Sequence, residues 1–134
     1  MRVLLDTNLL ILPPRWDLLP ASDDGPTVFY CAALSLAEIQ EGEFSRDPMV
    51  RLRAPLDYRR ITEELGEGLP FDDLSAYLYR VVCQAVVDHG RQVIRARRVD
   101  LMIAAVALAH DCALATRNVA DFAGLERVLP VIEL

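Results

Sequence analysis

Apolar residues gather along this chain in short blocks, separated by longer stretches where they recur at helical spacing. Val3-Leu4-Leu5 stops at Asp6-Thr7-Asn8, a polar triplet suited to end a strand and cap the next element, so residues 2–5 are predicted to form a buried strand. Thr27 to Cys31 reads as a second strand. Between them, Pro13 to Pro26 holds four of the eight prolines together with Asp23-Asp24-Gly25, and reads as a loop with at most a helical turn. Ser35-Leu36-Ala37-Glu38 has the spacing of a capping box and predicts a helix ending near Gly42 to Phe44. Asp47-Pro48 predicts another, which Pro55 should kink or divide before Gly66. Leu69-Pro70-Phe71 is a brief strand candidate, after which Leu74, Leu78, Val81, Val82, Ala85 and Val86 trace one helical face up to Gly90. A helix from Val99 to Asp111, apolar almost all round, belongs in the core. Cys112 to Ala115 predicts a strand and Val128 to Ile132 a last one, at a sheet edge because Pro130 has no N–H to donate. Strands alternating with helices predict an α/β chain whose parallel sheet is covered on both faces.

With 134 residues, 53% of them hydrophobic and 25% charged, the expectation is one globular domain over residues 1–134. The longest apolar run, Leu101 to Ala109, is too short to cross a bilayer. Asp6 interrupts the first apolar stretch before a signal-peptide core forms, so the expected compartment is the cytoplasm. Cys31, Cys83 and Cys112 are widely spaced in apolar segments and read as buried thiols rather than as a disulfide or zinc set. All 14 basic residues are arginine, which excludes a Walker A loop, a Schiff-base lysine and the lysine of a receiver-type phosphoacceptor. The net charge of −6 argues against general coating of nucleic acid and leaves only a local basic patch. That patch is Arg91, Arg95, Arg97 and Arg98, in a segment without an acid that runs directly into Asp100. Guanidinium forks suit phosphate oxygens, so Arg95, Arg97 and Arg98 are candidate RNA contacts; a solvated face or a protein contact is the other reading.

In a parallel sheet the functional groups collect beyond the carboxyl ends of the strands. That rule selects Asp6 after the first strand, Asn118 and Asp121 after the strand ending near Ala115, and Glu38 and Asp100 near the starts of helices. Carboxylates brought together repel one another, which is relieved by raised pKa values or by a divalent cation, and an all-oxygen set suits Mg²⁺ or Mn²⁺. Each residue also has a plainer reading: Asp6 as a turn or helix cap, Glu38 as the partner of Ser35 in the capping box, Asp100 as a complement to a helix dipole, Asn118 and Asp121 as turn formers. His89 and His110 sit at helix ends, and Trp16 lies in the proline-rich loop, where it packs on the core or stacks on a base or a partner helix.

Four segments in order carry a resemblance: Leu4-Leu5-Asp6-Thr7-Asn8, Ser35 to Gly42, Asp100-Leu101-Met102-Ile103-Ala104-Ala105 and Thr116-Arg117-Asn118-Val119-Ala120-Asp121-Phe122. With them the chain resembles PIN-domain proteins, and among those the VapC-type ribonuclease toxins of bacterial toxin–antitoxin pairs, over essentially its full length. The resemblance implies a single α/β/α domain and an endoribonuclease dependent on Mg²⁺ or Mn²⁺. It further implies a homodimer neutralised by a cognate antitoxin, a DNA-binding VapB-like protein. Asp6, Glu38 and Asp100 match the family's three principal acids. At the fourth acidic position this chain has Asn118, with Asp121 three residues on, a departure that leaves open which residue serves there and whether one or two metals bind. On this reading Asp6 and Asp100 hold the cation, Glu38 positions or deprotonates water, and Asn118 or Asp121 orients the groups around them or a further metal. Thr116 hydrogen-bonds Asp6, and Asn8 supports the site. A housekeeping RNA-processing nuclease and an inactive interaction module of the same fold are the competing readings.

Overall fold

The computed structural model describes residues 1–14, 23 and 25–134; Trp16 and most of the proline-rich loop lie outside the described residues. The described elements are β1 (Arg2–Leu5), α1 (Thr7–Ile11), β2 (Val28–Tyr30), α2 (Ala33–Glu41), α3 (Pro48–Leu65), α4 (Asp73–Asp88), α5 (Arg98–Ala109), β3 (Ala113–Thr116) and β4 (Val131–Glu133). Short 3-10 turns fill Gly42–Phe44, Arg95–Arg97, Val119–Phe122 and Leu125–Arg127.

The four strands form one all-parallel sheet in the order β2-β1-β3-β4, with Leu4 paired to Tyr30 on one side and to Leu114 on the other. Side chains alternate across it. Val3, Leu5, Ala113 and Ala115 join a buried cluster with Leu9 and Leu10 of α1, Leu36 and Ile39 of α2, and Ile61 of α3. Leu4 and Leu114 enter a second cluster with Val82 and Val86 of α4 and Leu101, Ile103 and Val106 of α5. Period-two alternation in two strands therefore creates two cores and an α/β/α sandwich. In α5, Ile103 to Ala107 are all buried, and the run of alanines lets it pack closely along α4.

Several expectations need correction. The helix expected from Ser35 begins two residues earlier, at Ala33, with Ala32 as a cap that lacks a side-chain bond. A tertiary contact replaces the cap: Ala33 N–H donates to Leu69 O at 2.9 Å, and Leu69 N–H donates to Cys31 O at 2.8 Å. The segment Leu69–Phe71 is thus reduced from a strand to a single bridge between Leu69 and Ala32. Gly68 makes this close approach possible, since a Cβ there would lie 2.6 Å from Ala33 N. Pro55 does not divide α3, which runs unbroken for 18 residues from its Asp47 cap. Arg51 and Pro55 are both exposed, so water can serve the carbonyl that proline leaves without a donor. The last strand is also shorter than expected, because Leu125–Arg127 is a 3-10 turn and β4 starts at Val131. The helix that begins near Asp72 ends where expected, with His89 as cap and Gly90 at φ 80°. All three cysteines are free thiols, with Cys31 and Cys112 buried. Among the described residues no helix is long and apolar enough to cross a membrane.

Candidate active site

Asp6 stands where β1 becomes α1. Its backbone N–H continues the sheet by donating to Ala115 O at 2.8 Å, and its side chain caps α1 by accepting Thr7 N–H on Oδ1 at 2.8 Å. The other oxygen, Oδ2, accepts the Thr116 hydroxyl from the end of β3 at 2.9 Å, and Thr116 Oγ1 in turn accepts Asn118 N–H at 3.1 Å. Asp6 is only 5% exposed. Burial raises its pKa, the bonds from Thr116 and Thr7 oppose that, and the charge of Asp121 adds to the rise.

Thr7 links this strand end to α2. Its hydroxyl donates to Glu38 Oε1 at 2.8 Å and shares a hydrogen bond with the buried Ser35 hydroxyl at 3.0 Å. Ser35 and Glu38 therefore serve Thr7 rather than each other, which corrects the capping-box reading. The i, i+3 spacing that suggests a box is equally the spacing that puts two side chains on one helix face. Thr7, to which the sequence assigns no role, is the residue that fixes Glu38. The signal available was a hydroxyl directly after a strand-end aspartate. Burial raises the Glu38 pKa, the Thr7 bond opposes it, and the charges of Asp100, Asp6 and Glu41 raise it further.

Asp100 sits in the first turn of α5, half-buried, and among the described residues its carboxylate accepts no hydrogen bond. Burial raises its pKa, Asp6 and Asp121 raise it further, and Arg97 opposes them. Asp121, on the turn after β3, is held differently. Its Oδ1 takes Arg97 Nη1 at 2.5 Å and its Oδ2 takes Asn118 Nδ2 at 2.7 Å. Asn8 is exposed, and its carbonyl accepts Arg117 Nη1 at 2.9 Å. Of the basic segment, Arg95 and Arg98 are exposed, whereas Arg97 is paired with Asp121 and Arg91 donates to Ala120 O at 2.9 Å. His89 is exposed; His110 closes α5 with Nε2 3.1 Å from Pro70 O and 3.9 Å from Asp72 Oδ2.

Thr7 joins Asp6 to Glu38, and Thr116 and Asn118 join Asp6 to Asp121, so these acids meet at the carboxyl edge of the sheet, and the charge effects on Asp100 place it beside them. Among the described residues no group of three or more His, Cys, Asp or Glu side chains is disposed to hold a metal ion. The donor set nevertheless fits a largely hydrated Mg²⁺ or Mn²⁺, which needs one or two carboxylates. Asp100 has no donor opposite it, and Asp6, Glu38 and Asp100 all carry charge that their surroundings disfavour. The set is all oxygen, which does not suit zinc.

Comparison with solved structures gives full-length similarity. The chain is similar to a chain of VapBC-5 from Mycobacterium tuberculosis, a member of the VapBC family of toxin-antitoxin systems. The TM-score is 0.77 and the identity 26%, covering 99% of this chain and 98% of that one. It also has the fold of a chain of FitAcB from Neisseria gonorrhoeae, with TM-score 0.70 and 24% identity over 98% of this chain and 96% of that one. VapBC2 from Rickettsia felis, bound to a DNA fragment from its promoter, has the same fold at TM-score 0.68 and 18% identity, covering 99% and 98% of the two chains. No protein-family model matches the chain, and no curated protein matches it. Strand order, the acids at the sheet edge and the full-length similarity together give this chain the α/β/α fold of these toxin-antitoxin proteins and make it similar to PIN-domain proteins of the VapC type.

Proposed function

We propose that this protein is a divalent-metal-dependent endoribonuclease and the toxin of a toxin–antitoxin pair, cleaving cellular RNA of the tRNA or rRNA class. The observation that carries the reading is the convergence of Asp6, Glu38 and Asp100 at the carboxyl edge of the sheet, each with a pKa raised by burial and by its neighbours. Asp6 and Asp100 would hold Mg²⁺ or Mn²⁺, which when bound would supply positive charge to activate water and to offset charge developing on the phosphate. Thr116 and the Thr7 N–H aim Asp6, one donor to each oxygen. Thr7 occupies Glu38 Oε1, leaving Oε2, which has no partner among the described residues, to orient the water or take its proton. Asn118 holds Asp121, which orients the rim of the site. Arg95 and Arg98, exposed just ahead of Asp100, suit phosphate oxygens of the RNA.

The partner of this reading is a VapB-like, DNA-binding antitoxin, in line with the toxin-antitoxin complexes of similar fold, one of them bound to promoter DNA. Beside Glu38 lies a groove of about 170 Å³ lined in part by Ile11, Ile39, Val50 and Ala54, able to take an apolar segment of such a partner next to the acids. The setting is the cytoplasm, where RNA and antitoxin are met.

The test is cleavage of total RNA by the purified chain with Mg²⁺ or Mn²⁺, with and without chelator. Cleavage is expected to stop with the chelator and in D6N and D100N, both remaining folded by circular dichroism. Undiminished cleavage by both variants overturns the site. Cleavage without any effect of induced expression on bacterial growth favours housekeeping RNA processing over a toxin.

A further inference from the structure

Of the four acids in the cluster, Asp121 alone is ion-paired among the described residues, and its partner comes from the same chain, 24 residues earlier. The pair is sheltered, with side chains 33% and 29% exposed, so solvent and salt screen it less than a surface pair. Arg97 occupies the N-cap position of α5, the helix whose first turn carries Asp100. A cation there is opposed by the helix dipole, which favours acids at an N-terminus. Helix formation therefore does not explain Arg97, but the acids do. Its guanidinium binds Asp121 directly, and its charge also favours the ionised form of Asp100. The turn beneath is clamped a second time by Arg91, which donates to the carbonyls of Ala120 and Asp121.

We propose that Arg97 is an internal counter-cation of the acidic cluster, pairing with Asp121 in the metal-free protein so that a divalent cation binds against its competition. This rests on the reading of the cluster as a metal site. Asp121 is kept for Arg97 and Asn118, and Asp6 and Asp100 are left to the incoming ion. When the ion arrives, the positive charge of Arg97 becomes unfavourable beside it, which lowers metal affinity and frees the guanidinium to turn outward.

The experiment titrates Mn²⁺ into the full chain by calorimetry, comparing the parent protein with R97Q and R97K. R97Q removes the charge and is expected to bind Mn²⁺ roughly tenfold tighter, the order given by one unit charge acting on a divalent ion through a partly screened medium. R97K keeps the charge and is expected to bind like the parent. A parent that binds Mn²⁺ with R97Q no tighter overturns the role of Arg97 and leaves the metal site standing. Absence of Mn²⁺ binding by parent and R97Q alike overturns both. Should R97Q not fold, Mg²⁺ is titrated into the parent while the Arg97 side-chain Nε–H resonance is followed by NMR. Movement of that resonance with Arg98 unmoved supports the proposal, and a stationary Arg97 resonance overturns it.

Discussion

Asp100 is a half-buried carboxylate with no hydrogen-bond donor among the described residues, set beside two other acids, and its charge costs the metal-free fold stability. That cost fixes the direction of the pH dependence. Folding raises the pKa of Asp6, Glu38 and Asp100 above their unfolded values, so between the two the native chain holds more protons than the unfolded one. Stability from these groups is full below the ordinary carboxylate range and is lost as pH rises through the raised values. Metal-free D100N is therefore expected to melt higher than the parent at neutral pH and to lose that advantage in acid, where all the carboxylates are protonated. Calorimetric melts in chelator check this, and an advantage undiminished in acid contradicts it. Asp6 and Asp100 were legible in the sequence because the end of β1 and the start of α5 follow from the apolar pattern, whereas the helix carrying Glu38 starts two residues earlier than that pattern predicts, and Glu38 reaches the acids from the second turn of α2. The role of Thr7 was not legible, since it depends on how α2 packs against α1. The pairing of Asp121 with Arg97 spans a helix and a strand that no local spacing connects.

Among the elements, α1 is the least able to stand alone, because five residues cannot repay the cost of nucleating a helix. Its last carbonyls are satisfied instead by three arginines. Arg60 donates to Leu10 O at 2.6 Å, Arg53 to Ile11 O at 3.5 Å, and Arg117 to the carbonyls of Asn8 and Leu12. Cations at a helix C-terminus also complement its dipole, at about 0.3–1 kcal/mol each. Since α1 starts at Asp6, these side chains at its far end help to hold the Asp6 carboxylate. Arg60→Ala is expected to cost about 1.5–3 kcal/mol, the range of a lost charged hydrogen bond, and to speed exchange of the Leu9 and Leu10 amides, which bond to Asp6 O. Hydrogen-exchange mass spectrometry across residues 6–12 measures this, and unchanged protection there removes the clamp. The longer elements were legible: the apolar stripe of α4 and the nearly all-apolar α5 can be read directly. The short α1 was not, having no period to detect, and the start of α2 was missed because a carbonyl from the distant Leu69 does what a capping side chain usually does.

At the scale of the molecule, the apolar pattern leaves two helices partly covered, α3 with Met49, Leu52 and Leu56 exposed, and α4. Leu74, Tyr77 and Val81 of α4 are exposed, and a groove of about 360 Å³ lies there between Tyr77, Val81, Arg127 and Val128. Exposed apolar surface of this kind suits an interface, and we propose a second copy of the chain as the partner that covers it. Light scattering is expected to give the mass of a dimer for the parent and of a monomer when Tyr77 and Val81 are both changed to Asp. A double variant that stays dimeric moves the interface elsewhere.

Thr116 holds Asp6 across 110 positions of chain, and β1, which ends in Asp6, lies in the middle of the sheet between β2 and β3. On the ribosome this distance becomes time. At roughly 5–20 residues per second, β1 waits about 5–20 s for β3 to be made. Until then one edge of β1 is open, Glu38 is present without Asp100, and Asp6 has no hydroxyl to aim it. If the chain is the nuclease proposed above, parallel topology delays the first cleavage until nearly all of the chain has emerged. On that proposal the ribosome making the chain is spared until synthesis is nearly complete, and a partner has that interval in which to meet the chain as it folds.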